Sequence, residues 1–143
     1  MSSKPQGASL ATIVEFIAAA FPQTRCEVLA VSPGHATVRH PVGEAELRPG
    51  GTVSGPVLMT AADVALYIAI LGTIGIKPLT VTTSLTINFL RKPSAERAVI
   101  AECTLLKTGR ALVIGEVALY SEGLPDMVAH AVGTYSVPPD DRG

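Results

Sequence analysis

The sequence predicts an α+β fold in which an antiparallel sheet covers one buried helix. Three observations carry that expectation. Of the 143 residues, 48% are hydrophobic and only 16% charged, against about 25% charged in an average soluble domain. Residues 49–76 contain a single charge, Asp63, so a helix formed there needs apolar cover on every side. After Lys77-Pro78 the chain reads as alternating strands separated by turn residues.

The length fits one domain spanning residues 1–143. Residues 1–8 and 138–143 are expected to be flexible tails, being polar and rich in Pro and Gly. Ser9 caps a first helix of about twelve residues, in which Leu10, Ile13, Val14 and Ile17 recur at helical spacing until Pro22 closes it. Short antiparallel strands follow at 26–31, 36–40 and 44–48, punctuated by Ser32-Pro33-Gly34 and Pro41-Val42-Gly43. The long helix runs over 57–76; Ser54 is a favoured cap, and Pro56 is tolerated where the N–H has no partner anyway. Its length could span a bilayer, but the central Asp63, Gly72 and Gly75 and the lack of a flanking basic cluster favour a core helix. Strands at 80–90, 98–107, 111–121 and 127–137 then form a four-strand meander, with Thr108-Gly109-Arg110 and Glu122-Gly123-Leu124-Pro125-Asp126 as hairpin turns.

Composition removes several function classes. Eleven Lys+Arg against 12 Asp+Glu give a formal net charge of -1, so there is no basic field for a phosphate backbone or an anionic leaflet. Aromatics are 4% and Trp is absent, which leaves little surface for stacking bases. Neither nucleic acid nor a membrane is expected as a partner. The low charge fraction instead predicts a homo-oligomer that covers apolar surface. Cys26 and Cys103 form neither a disulfide framework nor a zinc motif, and His35, His40 and His130 form no metal set, so no metal is expected. The first residues carry no signal-peptide pattern, and a cytoplasmic location is expected. A nucleophile-elbow serine hydrolase is excluded, because Thr52 and Pro56 occupy the glycine positions around Ser54.

Two features of the long helix are candidate chemistry. The N–H groups of Gly55 and Val57 lie at its start, where the positive end of the helix dipole can receive a carbonyl oxygen or an anion. Asp63, two turns on, must find polar partners or become neutral. An acid tied to sheet hydroxyls and an acid in a functional site both meet that demand, and its isolation tips the reading toward function.

The run Gly50-Gly51-Thr52-Val53-Ser54-Gly55-Pro56 followed by Asp63, the stretch Thr82-Thr83-Ser84-Leu85-Thr86-Ile87-Asn88-Phe89-Leu90-Arg91, the Lys107-Thr108-Gly109-Arg110 turn and Val128-Ala129-His130-Ala131-Val132-Gly133-Thr134-Tyr135 together resemble the hotdog-fold acyl-CoA thioesterases, in the PaaI-like phenylacetate-degradation branch. The resemblance covers residues 35–137. It implies a long central helix wrapped by a curled antiparallel sheet, protomers that pair to continue the sheet, and further pairing into a dimer of dimers. It also implies hydrolysis of an acyl-CoA to free acid and CoA, with no cofactor beyond the coenzyme A of the substrate.

Residue by residue, the family's His-Gly-Gly reads Ser54-Gly55-Pro56 here, the acid eight positions after the first Gly is Asp63, and the Asn six residues before the His is Arg48. The resemblance makes Gly55 the carbonyl-polarising N–H, Asp63 the general base or nucleophile, and Thr82 the hydroxyl that holds water or the acid. Ser84, two residues on, is expected on the same strand face. Arg48 and Ser54 are candidates for positioning the carbonyl, Ser54 having the alternative role of a plain helix cap. Arg91, Lys92 and Arg110 are candidates for the phosphates of CoA. Gly55 and Asp63 stand about 12 Å apart along a helix, whereas a base and an oxyanion donor both work about 3 Å from the reacting group. Antiparallel apposition of two helices across a dimer axis brings them together. Two alternatives share the fold. A hotdog dehydratase needs a His/acid pair that these lone histidines do not supply, and a non-catalytic acyl-CoA-binding or regulatory protein is credible from the changes at Ser54 and Arg48.

Overall fold

A computed structural model of the chain describes residues 7–139. Helix α1 (Leu10–Ala20) starts where the Ser9 hydroxyl accepts a hydrogen bond from the Thr12 N–H at 3.2 Å, and it buries Ile13 and Ile17. Leu10 and Val14, from the same predicted stripe, stay largely exposed. Strands β1 (Glu27–Ser32) and β2 (His35–His40) form a hairpin. Of the two predicted tails, residues 1–6 and 140–143 lie outside the described residues. Ala8 is not loose, since its N–H bonds to the Leu71 carbonyl at 2.9 Å and its side chain packs on the core.

The strand expected at 44–48 is mostly something else. Glu44–Glu46 is a 3-10 turn, because the buried Glu46 carboxylate reaches back to the Gly43 N–H at 2.7 Å and pairs with Arg25 at 2.7 Å. Only β3 (Leu47–Arg48) is extended, paired with a two-residue β4 (Thr52–Val53) that the sequence did not announce. This small hairpin delivers the chain into helix α2 (Gly55–Ile74), whose boundaries fall two residues earlier than expected.

The remaining strands are β5 (Val81–Phe89), β6 (Val99–Thr108), β7 (Leu112–Ser121) and β8 (Met127–Ser136). The expected four-strand meander is incorrect. The sheet order is β1-β2-β6-β7-β8-β5, so only β6, β7 and β8 follow one another. Strand β6 is flanked by β2 and β7 and has no free edge, so β5 joins the far side of β8. Its exit is pinned there by the Leu90 and Arg91 N–H groups, which both bond to the Val128 carbonyl.

Helix α2 contacts all six strands of this sheet. Its length and apolarity would suffice to cross a bilayer, but in the fold it is the core element, buried from Leu58 through Gly72 except at a few positions such as Asp63. The helix can lie this close because the strands beneath it carry small residues. Gly115 of β7 and Gly133 of β8 are register partners, and the Leu66 side chain presses on both. A Cβ at Gly115 would come within 2.7 Å of Leu66 Cδ2, and one at Gly133 within 2.5 Å of Leu66 Cδ1.

Both cysteines are buried and free. Burial pushes the Cys26 thiol up to about 11 and the Cys103 thiol up to about 12.

This packing predicts two outcomes. Gly133→Val should leave the topology intact but cost about 1–3 kcal/mol through overpacking against Leu66, read as a lower urea midpoint; an unchanged midpoint would show that Leu66 is free to move. Neither thiol should react with iodoacetamide at pH 8 in the folded protein, and both should react once it is unfolded. Stability contributed by the neutral thiols is complete below their ordinary value of 9.0 and is lost as pH rises through the folded values.

Candidate active site

Asp63 sits in the middle of α2 and faces the end of the sheet where β5 begins and β8 finishes. Its Oδ1 accepts two hydrogen bonds, from Thr82 Oγ1 at 2.7 Å and from Tyr135 Oη at 2.6 Å. The Tyr135 hydroxyl also lies 2.9 Å from the Asp63 backbone carbonyl. Among the described residues Oδ2 has no partner, so one carboxylate oxygen is anchored and the other is open. Two hydroxyls here take the place a cation would hold in an ion pair, supplying hydrogen bonds to a half-buried acid.

Thr82 reaches Asp63 because β5 is irregular. Its register with β8 pairs Thr82 with Tyr135 and Ser84 with Thr134, so Thr83 is an extra residue. Such a bulge shifts the alternation of side chains by one. Leu85 and Ile87 pack on the core, and across the bulge Thr82 joins their face while Ser84 turns to the opposite one. The expectation that Thr82 and Ser84 share a face is therefore corrected.

Tyr135 is a site residue that the sequence reading missed, although a signal was present. The inward positions of β8 are Ala129, Ala131, Gly133 and Tyr135, three small residues followed by one large polar ring whose buried hydroxyl needs a partner. Tyr135 is 3% exposed. Its phenol is pushed well above the usual tyrosine range, first by burial and then by its bond to the Asp63 carboxylate, so it remains a donor. Its ring tilts against Tyr67 at 6.3 Å, and Tyr67 in turn meets Phe21 edge-on at 5.8 Å. These side chains, with Ile17 of α1, Val64, Pro78 and the residues Thr80–Thr82, line an open pocket of about 340 Å³ whose wall includes Asp63.

The other predicted residues divide by location. Gly55 opens α2, and a Cβ there would meet the Phe89 ring at 3.3 Å. The Val57 N–H, expected to be free, bonds to the Ser54 carbonyl at 3.2 Å, which leaves the Gly55 N–H as the unpartnered donor of that turn among the described residues. Ser54 is the N-cap residue, as expected, but its side chain makes no capping bond; its carbonyl serves the first turn instead. Arg48 is exposed on the hairpin that precedes the helix, opposite Thr52. The Arg91 guanidinium donates to the Met127 carbonyl at 2.6 Å, and Lys92 beside it is exposed. Arg110 lies in the β6–β7 turn, near the Ser136 end of β8, whereas Arg91 is at the Met127 end. The ends of that strand are about 30 Å apart, so one protomer does not bring these three basic residues together.

A His/acid pair does exist, with His130 Nε2 and Glu116 Oε1 3.0 Å apart. It lies on the sheet face opposite Asp63, because His130 alternates with the inward Ala129 and Ala131. Among the described residues no group of three or more His, Cys, Asp or Glu is arranged to hold a metal ion.

Comparison with known proteins agrees with this architecture. The family model of the thioesterase superfamily matches residues 50–127. The chain is similar to a candidate thioesterase from Silicibacter sp. TM1040, at 39% identity, 92% coverage of both chains and a TM-score of 0.84. It is also similar to a variant of the phenylacetic acid degradation protein PaaI from Thermus thermophilus, at 27% identity, covering 87% of this chain and 99% of that one, with a TM-score of 0.71. A Streptococcus mutans protein bound to acetyl-CoA shares the fold at 20% identity, covering 84% and 94% of the two chains, with a TM-score of 0.71. No curated protein matches the chain. The chain belongs to the thioesterase superfamily, and its helix-in-sheet architecture is the hotdog fold.

The anchoring of Asp63 can be tested directly. Tyr135→Phe removes one of two donors to a charged acceptor, so the folded state should lose about 1.5–3 kcal/mol. Urea unfolding that shows no change would remove Tyr135 from the anchoring role.

Proposed function

We propose that the protein hydrolyses an acyl-CoA thioester to a carboxylic acid and CoA, at sites completed by a second copy of the chain. The observation that carries this reading is the Asp63 carboxylate, held through Oδ1 by Thr82 and Tyr135, with Oδ2 unpaired among the described residues, in the wall of a largely apolar pocket. Membership of the thioesterase superfamily supports the reaction class, and the acetyl-CoA bound by the Streptococcus mutans relative supports the substrate class.

Asp63 acts as general base. Thr82 donates its proton to Oδ1, which leaves its lone pairs to accept from a water beside Oδ2. Asp63 takes that water's proton while the oxygen attacks the thioester carbon. The resulting oxyanion is received by the Gly55 N–H at the start of a helix whose dipole favours it. Collapse breaks the C–S bond, and the sulfur leaves with the proton held by Asp63.

The donor and the base come from different subunits. Strand β5 is the outer strand of its sheet and carries no charge between Pro78 and Leu90. Val81, Phe89 and Leu90 are each more than half exposed along it. An edge this long without charges to blunt it favours pairing with another copy. Asp63 and Thr82 stand at one end of β5, and Gly55 under Phe89 stands at the other. A two-fold axis through the middle of β5 therefore brings the base of one subunit to the helix start of the other. The same axis brings Arg110 of one subunit toward Arg91 and Lys92 of the other, where their charges serve the CoA phosphates. Arg48 and the free Ser54 hydroxyl flank the carbonyl.

The test is release of free thiol from a panel of acyl-CoAs. Asp63→Asn should keep fold and dimer while lowering kcat about a hundredfold to ten-thousandfold. Tight binding of acyl-CoA with no turnover by the wild type would replace the enzyme with a non-catalytic acyl-CoA-binding protein, and turnover unchanged by Asp63→Asn would remove Asp63 from the chemistry.

A further inference from the structure

The pocket beside Asp63 has a direction. The Tyr135 hydroxyl donates to the Asp63 carboxylate at 2.6 Å, the Tyr135 ring tilts against Tyr67 at 6.3 Å, and Tyr67 meets the Phe21 ring edge-on at 5.8 Å. The acid therefore stands at one end of a row of three rings, and Phe21, the C-cap residue of α1, stands at the other. Asp63 and all three rings line the pocket. Tyr67 and Tyr135 are buried and form its floor, whereas Phe21 is 43% exposed and stands at its rim.

Phe21 is fixed in that position. Its ring meets Phe16 edge-on at 6.1 Å as well as Tyr67, and its N–H donates to the Ile17 carbonyl at 2.8 Å, so swinging the ring aside would forfeit two edge-to-face contacts. Among the described residues that line the pocket, Asp63 alone carries a charge, and the side chains of Ile17, Val64, Pro78 and Val81 offer only apolar surface. At roughly 30 Å³ for each water-sized group in a liquid, a pocket of about 340 Å³ holds on the order of ten non-hydrogen atoms.

We infer that the pocket takes an uncharged, unbranched acyl chain with its carbonyl at Asp63 and its tail against Phe21, and that the Phe21 ring sets the length at about eight to ten carbons. This rests on the thioesterase reading above and adds the class of acyl group to it. Each methylene laid along the floor leaves water, which raises kcat/KM about fourfold, until the chain reaches the Phe21 ring. Methylenes beyond the ring return to solvent and bring no gain. With the ring removed, the sides of Phe16 and Tyr67 that it covers continue the apolar floor.

The experiment measures kcat/KM for unbranched acyl-CoAs from acetyl-CoA to tetradecanoyl-CoA, and for succinyl-CoA, with the wild type, Phe21→Ala and Phe21→Leu. The wild type should gain about fourfold per methylene and level off at octanoyl-CoA to decanoyl-CoA. Succinyl-CoA, which carries a charge into the apolar floor, should be at least about tenfold poorer than pentanoyl-CoA. Phe21→Ala should move the plateau to dodecanoyl-CoA or beyond while lowering kcat/KM for octanoyl-CoA, which loses the ring as a wall. Structural damage alone does not make the two profiles cross. Phe21→Leu should move the plateau by a smaller step, and it carries the test should Phe21→Ala fail to fold. A plateau that stays in place in the variants, or a wild type that hydrolyses acetyl-CoA or succinyl-CoA best, overturns the assignment and leaves the thioesterase reading standing. No hydrolysis of any acyl-CoA overturns both.

Discussion

Helix α2 carries almost no polar side chain, so its position is set by how closely a sheet can approach it. The contact of Leu66 with the paired Gly115 and Gly133 marks the closest approach. Around that point the inward residues of β8 are Ala129, Ala131 and Gly133, each too small to hold the helix away. Toward the end of β8 the small residues give way to Tyr135, and there Tyr135 and Asp63 line the pocket.

The same change of residues explains why Asp63 can be where it is. A carboxylate under Leu66 would have met only methyl groups, whereas a few residues earlier it meets two hydroxyls. One of these, Tyr135, arrives by ordinary alternation along β8. The other, Thr82, arrives only through the extra residue Thr83, which turns an otherwise outward side chain inward. Among the described residues no cation sits on Asp63, so nothing competes for its second oxygen.

Strand β5 links the two halves of the candidate machinery. It begins at the acid and ends on the helix start, where the Phe89 ring lies over Gly55. The separation that keeps Gly55 and Asp63 apart within one helix is mirrored along this strand, and so is the distance between Arg110 and Arg91. Both gaps are properties of a single protomer.

Much of the fold was legible in the residues themselves. The isolation of Asp63 in an apolar run, the Pro56 start of the helix, the Ser9 cap and the alternating strands are local patterns, and local patterns are set by neighbours in the chain. Four things were not legible: that β5 pairs with β8, that Glu44–Glu46 turns rather than extends, that Ser84 faces away from Thr82, and that Tyr135 holds the acid. Each depends on a partner distant in sequence. Strand order follows from which edges are free, the Glu46 turn from a reach to Arg25, and the face of Thr82 from a one-residue mismatch with β8 that alternation alone cannot reveal. The order of residues was enough to require that one carboxylate be satisfied inside an apolar helix. Which hydroxyls satisfy it was settled in the folded chain, because they come from two strands that only the sheet brings together.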